Sequence, residues 1–242
     1  MKIKDLGNGI YLDDCVFYTD SCTTSPPIQK TRRKPIILAI VGKSASGKDY
    51  LAKMLVKELS FVFPIVSWTT RPSREGEKEG EDYHFVSKEE FCAAKQKGKF
   101  IEWSSFNGWY YGTPHSTIEP DHIYAGVFNL DGLSSLMLHQ DLYDVLPIYM
   151  DAPWHVRLKR SVKREGKFSK EMVRRMFADH QDFAHDKYNL IKKLCRNKSL
   201  HFDYQEMERL PNMVIAVVLA YISLLLEREK FNNLIGKVEK RL

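Results

Sequence analysis

Cysteine is scarce in this 242-residue chain: only Cys15, Cys22, Cys92 and Cys195 are present. They form no C-x-x-C pair and no zinc-site spacing. That excludes a disulfide framework and a structural zinc from the reading, and leaves idle thiols in a reducing compartment. Long apolar runs are lacking as well. The longest, Met213 to Leu226, counts 14 residues including Ser223, too few for a comfortable membrane span and suited to a buried helix. The N-terminus, Met1-Lys2-Ile3-Lys4-Asp5, has no apolar secretory core. These lacks predict a cytoplasmic chain with no membrane partner. Acidic residues are outnumbered, 31 Asp and Glu against 37 Lys and Arg, for a net charge of +6. The excess is local, because Arg157 to Arg175 alone holds nine Lys or Arg against two Glu. Such a cluster suits a polyanionic small molecule at least as well as a nucleic-acid backbone. No nucleic-acid recognition motif accompanies it, so no nucleic-acid partner is expected.

What is present begins with one loop, Gly42-Lys43-Ser44-Ala45-Ser46-Gly47-Lys48-Asp49. The apolar β-branched run Ile36 to Val41 before it reads as a buried parallel strand, and Tyr50 to Leu59 after it has helical apolar spacing. Strand, glycine-bounded loop, Lys and helix together form a phosphate-binding context. Backbone N–H groups and the helix N-terminus would surround a polyphosphate, with Lys48 on its outer phosphates. The bland alternative is an ordinary tight turn. Asp49 stands where a Ser or Thr hydroxyl would touch Mg²⁺. A carboxylate is a hard oxygen ligand, so Asp49 is the candidate metal ligand, directly or through water. It also brings negative charge towards the phosphates unless the metal lies between.

Residues 1–35 read as an N-terminal extension, with a short hairpin around Ile10 to Tyr18 and a linker ending at Pro35. Phe61 to Thr70 is expected to contain a second strand with Pro64 near its start. Ser87 and Glu90 form a capping-box pattern ahead of a helix through Phe91 and Ala94. Phe100 to Trp103 and Trp109 to Gly112 read as strands around an Asn107-Gly108 turn. His122 to Gly132 suggests a third parallel strand, and Val145 to Met150 a fourth. The tail from Met213 to Leu242 reads as helical; it could pack on the core or form a homodimer face.

Between these elements stand Ser67, Thr69-Thr70-Arg71-Pro72, Arg74, Gly76-Glu77, Gly80, Asp82-Tyr83 and Phe85-Val86. Glu102-Trp103 and Tyr110-Tyr111-Gly112-Thr113 follow. In this combination the chain resembles the guanylate kinase family over about residues 36–188. The resemblance implies an α/β P-loop NTPase three-layer fold with a parallel sheet, an inserted nucleoside-monophosphate-binding module and a helical lid. The corresponding boundaries are a kinase-like domain over 36–200, the module over 67–124, the lid over 153–178 and a C-terminal helical extension over 201–242.

The resemblance further implies ATP and Mg²⁺ as donor and cofactor, with GMP or dGMP as acceptor. It gives GMP binding to Ser67, Arg71, Arg74, Glu77, Tyr83, Glu102, Tyr111, Gly112, Thr113 and Asp131, and catalysis to Lys48, Arg160, Arg164 and Arg175. The chemistry of these residue types agrees. Two guanidinium forks, Arg71 and Arg74, suit one phosphate dianion. Guanine presents N1–H and N2–H₂ on one edge, and the Glu102 carboxylate accepts from both. Asn129 stands where the family carries the first Asp of an Asp-x-Asp pair, so Asp49 would compensate for that carboxylate. After Ala184 to Tyr188, Asn189 to Lys193 replaces the family's last strand. Two alternatives stay open: a catalytically weak guanylate-kinase-like binding or scaffold module, and a kinase of another nucleotide-like acceptor.

Overall fold

The computed structural model describes residues 33–106, 108–183, 189 and 199–239, with side chains described through Leu226. The expected N-terminal hairpin, Cys15, Cys22, Cys195, Asn107 and the stretches 184–188 and 190–193 lie outside the described residues. All six residues of β1 (Ile36–Val41) are buried. Ile36, Leu38 and Ile40 enter one apolar cluster, while Ile37, Ala39 and Val41 enter another. A strand that alternates between two cores has both faces covered, as strands of parallel sheets do. The sheet runs β2 (Val62–Pro64), β7 (Ile123–Val127), β1, β8 (Asp144–Asp151), β9 (Leu200–Asp203), with every neighbouring pair parallel.

One face is covered by α1 (Lys48–Glu58) through Leu51 and Leu55. The same cluster takes Met207 of α6 (Tyr204–Arg209) and Val214, Val218 and Ile222 of α7 (Pro211–Glu239). The four-residue spacing of those three puts one stripe of α7 on the sheet. That stripe of α7 therefore belongs to the core, while Met213, Val217 and Leu224 of the same apolar run are exposed. The other face is covered by α3 (Leu130–Leu138) through Leu130, Leu133 and Leu136.

The fifth strand corrects the expectation that residues after Tyr188 leave the sheet without its last strand. Leu200–Asp203 pairs with Ile148–Asp151 and crosses the boundary drawn at 200. Its signal is slight, because only Leu200 and Phe202 of four residues are apolar. The run from Phe61 to Thr70 also divides. Pro64 ends β2, which pairs only with β7, and Trp68–Thr69 forms β3 in a second sheet. Proline has no N–H for a ladder and is tolerated at such an edge.

The second sheet runs β4 (His84–Phe85), β3, β6 (Trp109–Pro114), β5 (Phe100–Phe106). Tyr124, assigned with the module at the sequence level, lies in the central sheet instead. Ser87 and Glu90 make both bonds of the capping box that starts α2 (Lys88–Gln96). That helix places Phe91 flat against Phe100 and Tyr110, with ring centroids 4.5 and 5.5 Å apart. Gly108 at the hairpin has φ +79°, the left-handed conformation a tight turn needs. The basic segment folds as α4 (Trp154–Glu165) and α5 (Lys170–Asp182), separated by Gly166 at φ +70°.

Candidate active site

The phosphate loop leaves the carboxyl end of β1, where parallel sheets present ligand crevices. Gly42 passes so close to β8 that a Cβ there would collide with the Met150 carbonyl oxygen. Gly47, at φ +113°, turns the chain into α1. Ala45 holds φ +60° without being glycine, a conformation that costs an L-residue about 1–2 kcal/mol. Lys48 Nζ donates to the Lys43 carbonyl at 2.9 Å. Burial pushes the Lys48 ammonium below its ordinary range, with Asp49 opposing that shift. Asp49 stands exposed in the first turn of α1, where the helix dipole favours a carboxylate.

Glu102 is 5% exposed on β5 and accepts from Thr113 Oγ1 at 2.7 Å. Thr113 Oγ1 and Ser67 Oγ stand 3.0 Å apart, so the three predicted base-edge residues form one buried chain. Burial pushes the Glu102 carboxyl up to about 7, against the pull of its bonds from Thr113. Arg71 is held by Glu77 through two bonds of 2.9 Å, Nη1 to Oε2 and Nη2 to Oε1. Glu77 also accepts the Arg74 N–H at 2.8 Å. Its burial would raise its pKa, but those bonds and the two arginine charges hold it below the usual carboxylate range. Glu77 thereby orients both arginines. Tyr83 and Tyr111 meet edge to face at 6.1 Å, and burial raises the Tyr83 hydroxyl pKa.

A cleft of about 890 Å³ brings together Lys48, Asp49, Ser67, Arg71, Arg74, Glu77, Tyr83, Glu102, Tyr111, Arg164 and Arg175. Of the predicted acceptor and catalytic residues, Gly112, Thr113, Asp131 and Arg160 are not in that lining, and Thr113 joins the site through its bond to Glu102. Gly112 packs in the module core, where a Cβ would stand 3.0 Å from Phe91 and Phe100 carbons. Asp131 is exposed in the first turn of α3, outside the cleft lining. Arg160 lies on the outer side of the phosphate loop, donating to Ser46 O at 3.0 Å and Glu208 Oε1 at 2.8 Å. A second cavity of about 510 Å³ opens there, lined by Tyr50, Met150, Arg160, Met207, Glu208 and Pro211 among others. The two cavities share Ala45, Asp49 and Arg164 in their linings, so they meet at the loop.

Sequence reasoning missed three residues here, Asp179, Arg157 and Gly132, and the capping role of Asn129. Asp179 and Arg157 form a buried ion pair of 2.8 Å, and Asp179 also receives the Ser44 N–H and hydroxyl at 3.0 Å. Asn129 caps α3 by accepting from Gly132 N at 2.8 Å, while its amide donates to Ser104 Oγ at 2.8 Å. Its polar tip before an apolar run was a readable cap signal. Gly132 lies against the Glu102 carboxylate, which no local pattern announces. Among the described residues no group of three or more His, Cys, Asp or Glu could hold a metal. A Mg²⁺ site made of one carboxylate plus phosphate oxygens and water needs no such group, and Asp49 at the meeting of the cavities fits that kind.

The family model described as Guanylate kinase matches residues 32–222. A guanylate kinase of Wolinella succinogenes is 35% identical over 149 residues, 59% of this chain and 67% of that protein. One of Symbiobacterium thermophilum is 30% identical over 155 residues, 63% of this chain and 74% of that protein. The solved structure of guanylate kinase from Anaplasma phagocytophilum shares the fold with a TM-score of 0.54 at 22% identity, over 78% of this chain and 87% of that one. No helix among the described residues is long and apolar enough to cross a membrane. With the family match extending from the strand before the phosphate loop into the last helix, the chain belongs to the guanylate kinase family.

Proposed function

We propose that this chain transfers the terminal phosphoryl group of ATP to GMP or dGMP, giving ADP and GDP or dGDP. Family membership supports the reaction. The observation that carries it to these residues is one cleft holding Glu102 and Arg71 on one side and Lys48 on the other. In this reading Glu102 accepts from guanine N1–H and N2–H₂, with Ser67 and Thr113 fixing its carboxylate. Adenine lacks that donor pair and would leave a buried acceptor unpaired, so it is rejected. Arg71 and Arg74, set by Glu77, grip the acceptor phosphate together with the Tyr83 and Tyr111 hydroxyls.

The cavity on the outer side of the loop takes the donor's nucleoside, because the acceptor groups occupy the inner cleft. The phosphates then cross the loop where Asp49 and Arg164 line both cavities. Lys48, Arg164 and Arg175 offset the charge spread over the transferred group. The acceptor is already an anionic phosphate oxygen, so no general base is required. Mg²⁺, held by Asp49 and the phosphates, would supply further charge neutralisation. A cytoplasmic setting accords with this role.

The test is coupled ADP release with ATP and Mg²⁺ against GMP, dGMP, AMP, CMP and UMP, with Lys48→Ala as control. Turnover confined to GMP and dGMP and lost in the control is the expected result. Measurable GMP binding with no turnover on any acceptor would instead leave a binding module.

A further inference from the structure

The phosphate loop is gripped by the two lid helices from both sides of its backbone. Asp179 of α5 takes the Ser44 N–H and Oγ–H, each at 3.0 Å. Arg157 and Arg160, one turn apart on α4, donate to three successive loop carbonyls: Ser44 at 3.4 Å, Ala45 at 3.4 Å and Ser46 at 3.0 Å. Arg157 also holds the Asp179 carboxylate at 2.8 Å, and both residues are buried, at 6% and 3% exposure. At the centre of this grip Ala45 keeps φ +60°. A strained non-glycine residue persists only where its surroundings over-determine it.

We infer that Asp179, Arg157 and Arg160 form a clamp, carried by the lid helices, that holds Ala45 left-handed and so keeps the phosphate loop preformed for the donor nucleotide. All three are positioning residues acting through the loop backbone. With Asn in place of the carboxylate, one oxygen is left for the Ser44 donors, Arg157 faces an N–H₂ donor where it had an acceptor, and Ala45 relaxes towards ordinary φ. The loop N–H groups must then be reordered by the nucleotide itself, which lowers donor affinity. Acceptor binding is spared, since Glu102, Arg71 and Glu77 make no bond to the clamp residues. The inference rests on the donor reading above.

Binding of ATP with Mg²⁺ and, separately, of GMP is measured by titration calorimetry on the full chain, alongside thermal unfolding. Asp179→Asn is expected to weaken ATP binding about tenfold and GMP less than about twofold. Glycine adopts positive φ at no steric cost, so Ala45→Gly added to Asp179→Asn recovers about threefold or more of the lost affinity. A role confined to stability would not be repaired by Ala45→Gly. Ser44→Ala keeps the buried ion pair and is read in parallel in case Asp179→Asn does not fold; it weakens ATP binding about threefold. Wild-type affinity for ATP in Asp179→Asn or in Ser44→Ala, equal loss of ATP and GMP, or no recovery with Ala45→Gly overturns the clamp. No ATP binding by the wild-type chain would overturn the donor reading instead.

Discussion

Glu102 Oε2 lies 2.8 Å from the point where a Cβ on Gly132 would stand. The backbone of α3 thus forms the wall against which the carboxylate is set. Gly132→Ala must push that carboxylate off its present position, because the methyl group has no room. We expect KM for GMP to rise about tenfold with KM for ATP unchanged, measured by steady-state turnover.

Burial holds the Glu102 proton up to about pH 7, while guanine donors need the ionised carboxylate. GMP binding therefore strengthens as pH rises through 7 and releases a proton. At pH 6 affinity is expected to be about tenfold below its alkaline plateau. The folded chain binds this proton more tightly than the unfolded chain. Its contribution to stability is full below the ordinary carboxylate range and is lost as pH rises towards 7. Calorimetric titration in buffers of different ionisation enthalpy detects the proton, and Glu102→Gln abolishes the dependence.

Glu77 holds a largely buried Arg71 by two parallel bonds of 2.9 Å. Glu77→Gln removes one acceptor and the compensating charge. Stability is expected to fall by about 2 kcal/mol in denaturant unfolding, and KM for GMP to rise more than KM for ATP. Because the Glu77 pKa is depressed by its partners, its contribution to stability is present above the ordinary carboxylate range and fades below it.

Asp49 is the proposed protein ligand for Mg²⁺ at the meeting of the two cavities. Asp49→Ala should raise the Mg²⁺ concentration for half-maximal turnover, and Asp49→Ser should restore much of the metal response through a hydroxyl. The same Asp49→Ala change loses a favourable charge at a helix N-terminus, costing about 0.5 kcal/mol in thermal unfolding.

Arg160 and Glu208 pair across the outer cavity at 2.8 Å, and both are partly open to solvent. An ion pair of this exposure contributes little, so Glu208→Ala should shift stability by less than about 1 kcal/mol. KM for ATP is expected to rise about threefold, with KM for GMP unmoved. An equal effect on both substrates would remove the donor nucleoside from that cavity.

The phosphate loop and the hairpin that carries Glu102 and Thr113 were legible because each is written in a short stretch, while Ser67, 46 positions before Thr113, was named by the family resemblance. Gly42 to Asp49 carries its own strand and helix, and Glu102 and Thr113 face each other across one hairpin. Two readings went astray for local reasons. Pro64 marks an edge-strand end, a distinction that depends on which neighbour pairs. Leu200–Asp203 has too few apolar residues to signal a strand until β8 supplies the ladder. Gly112 matches a binding motif by position, and its missing side chain also makes room for Phe91 and Phe100.

The sequence by itself determined the two-faced burial of β1, the loop that follows it and the capping box of α2. These depend on periodicity and contacts within a few residues, which the chain states directly. Only the tertiary structure decided that Asp179 reaches Ser44 across 135 positions and that Arg160 faces the loop carbonyls. It alone set Gly132 against Glu102. Those relationships arise when helices pack at particular angles and depths. The side chains that meet there are neighbours in space without being neighbours along the chain.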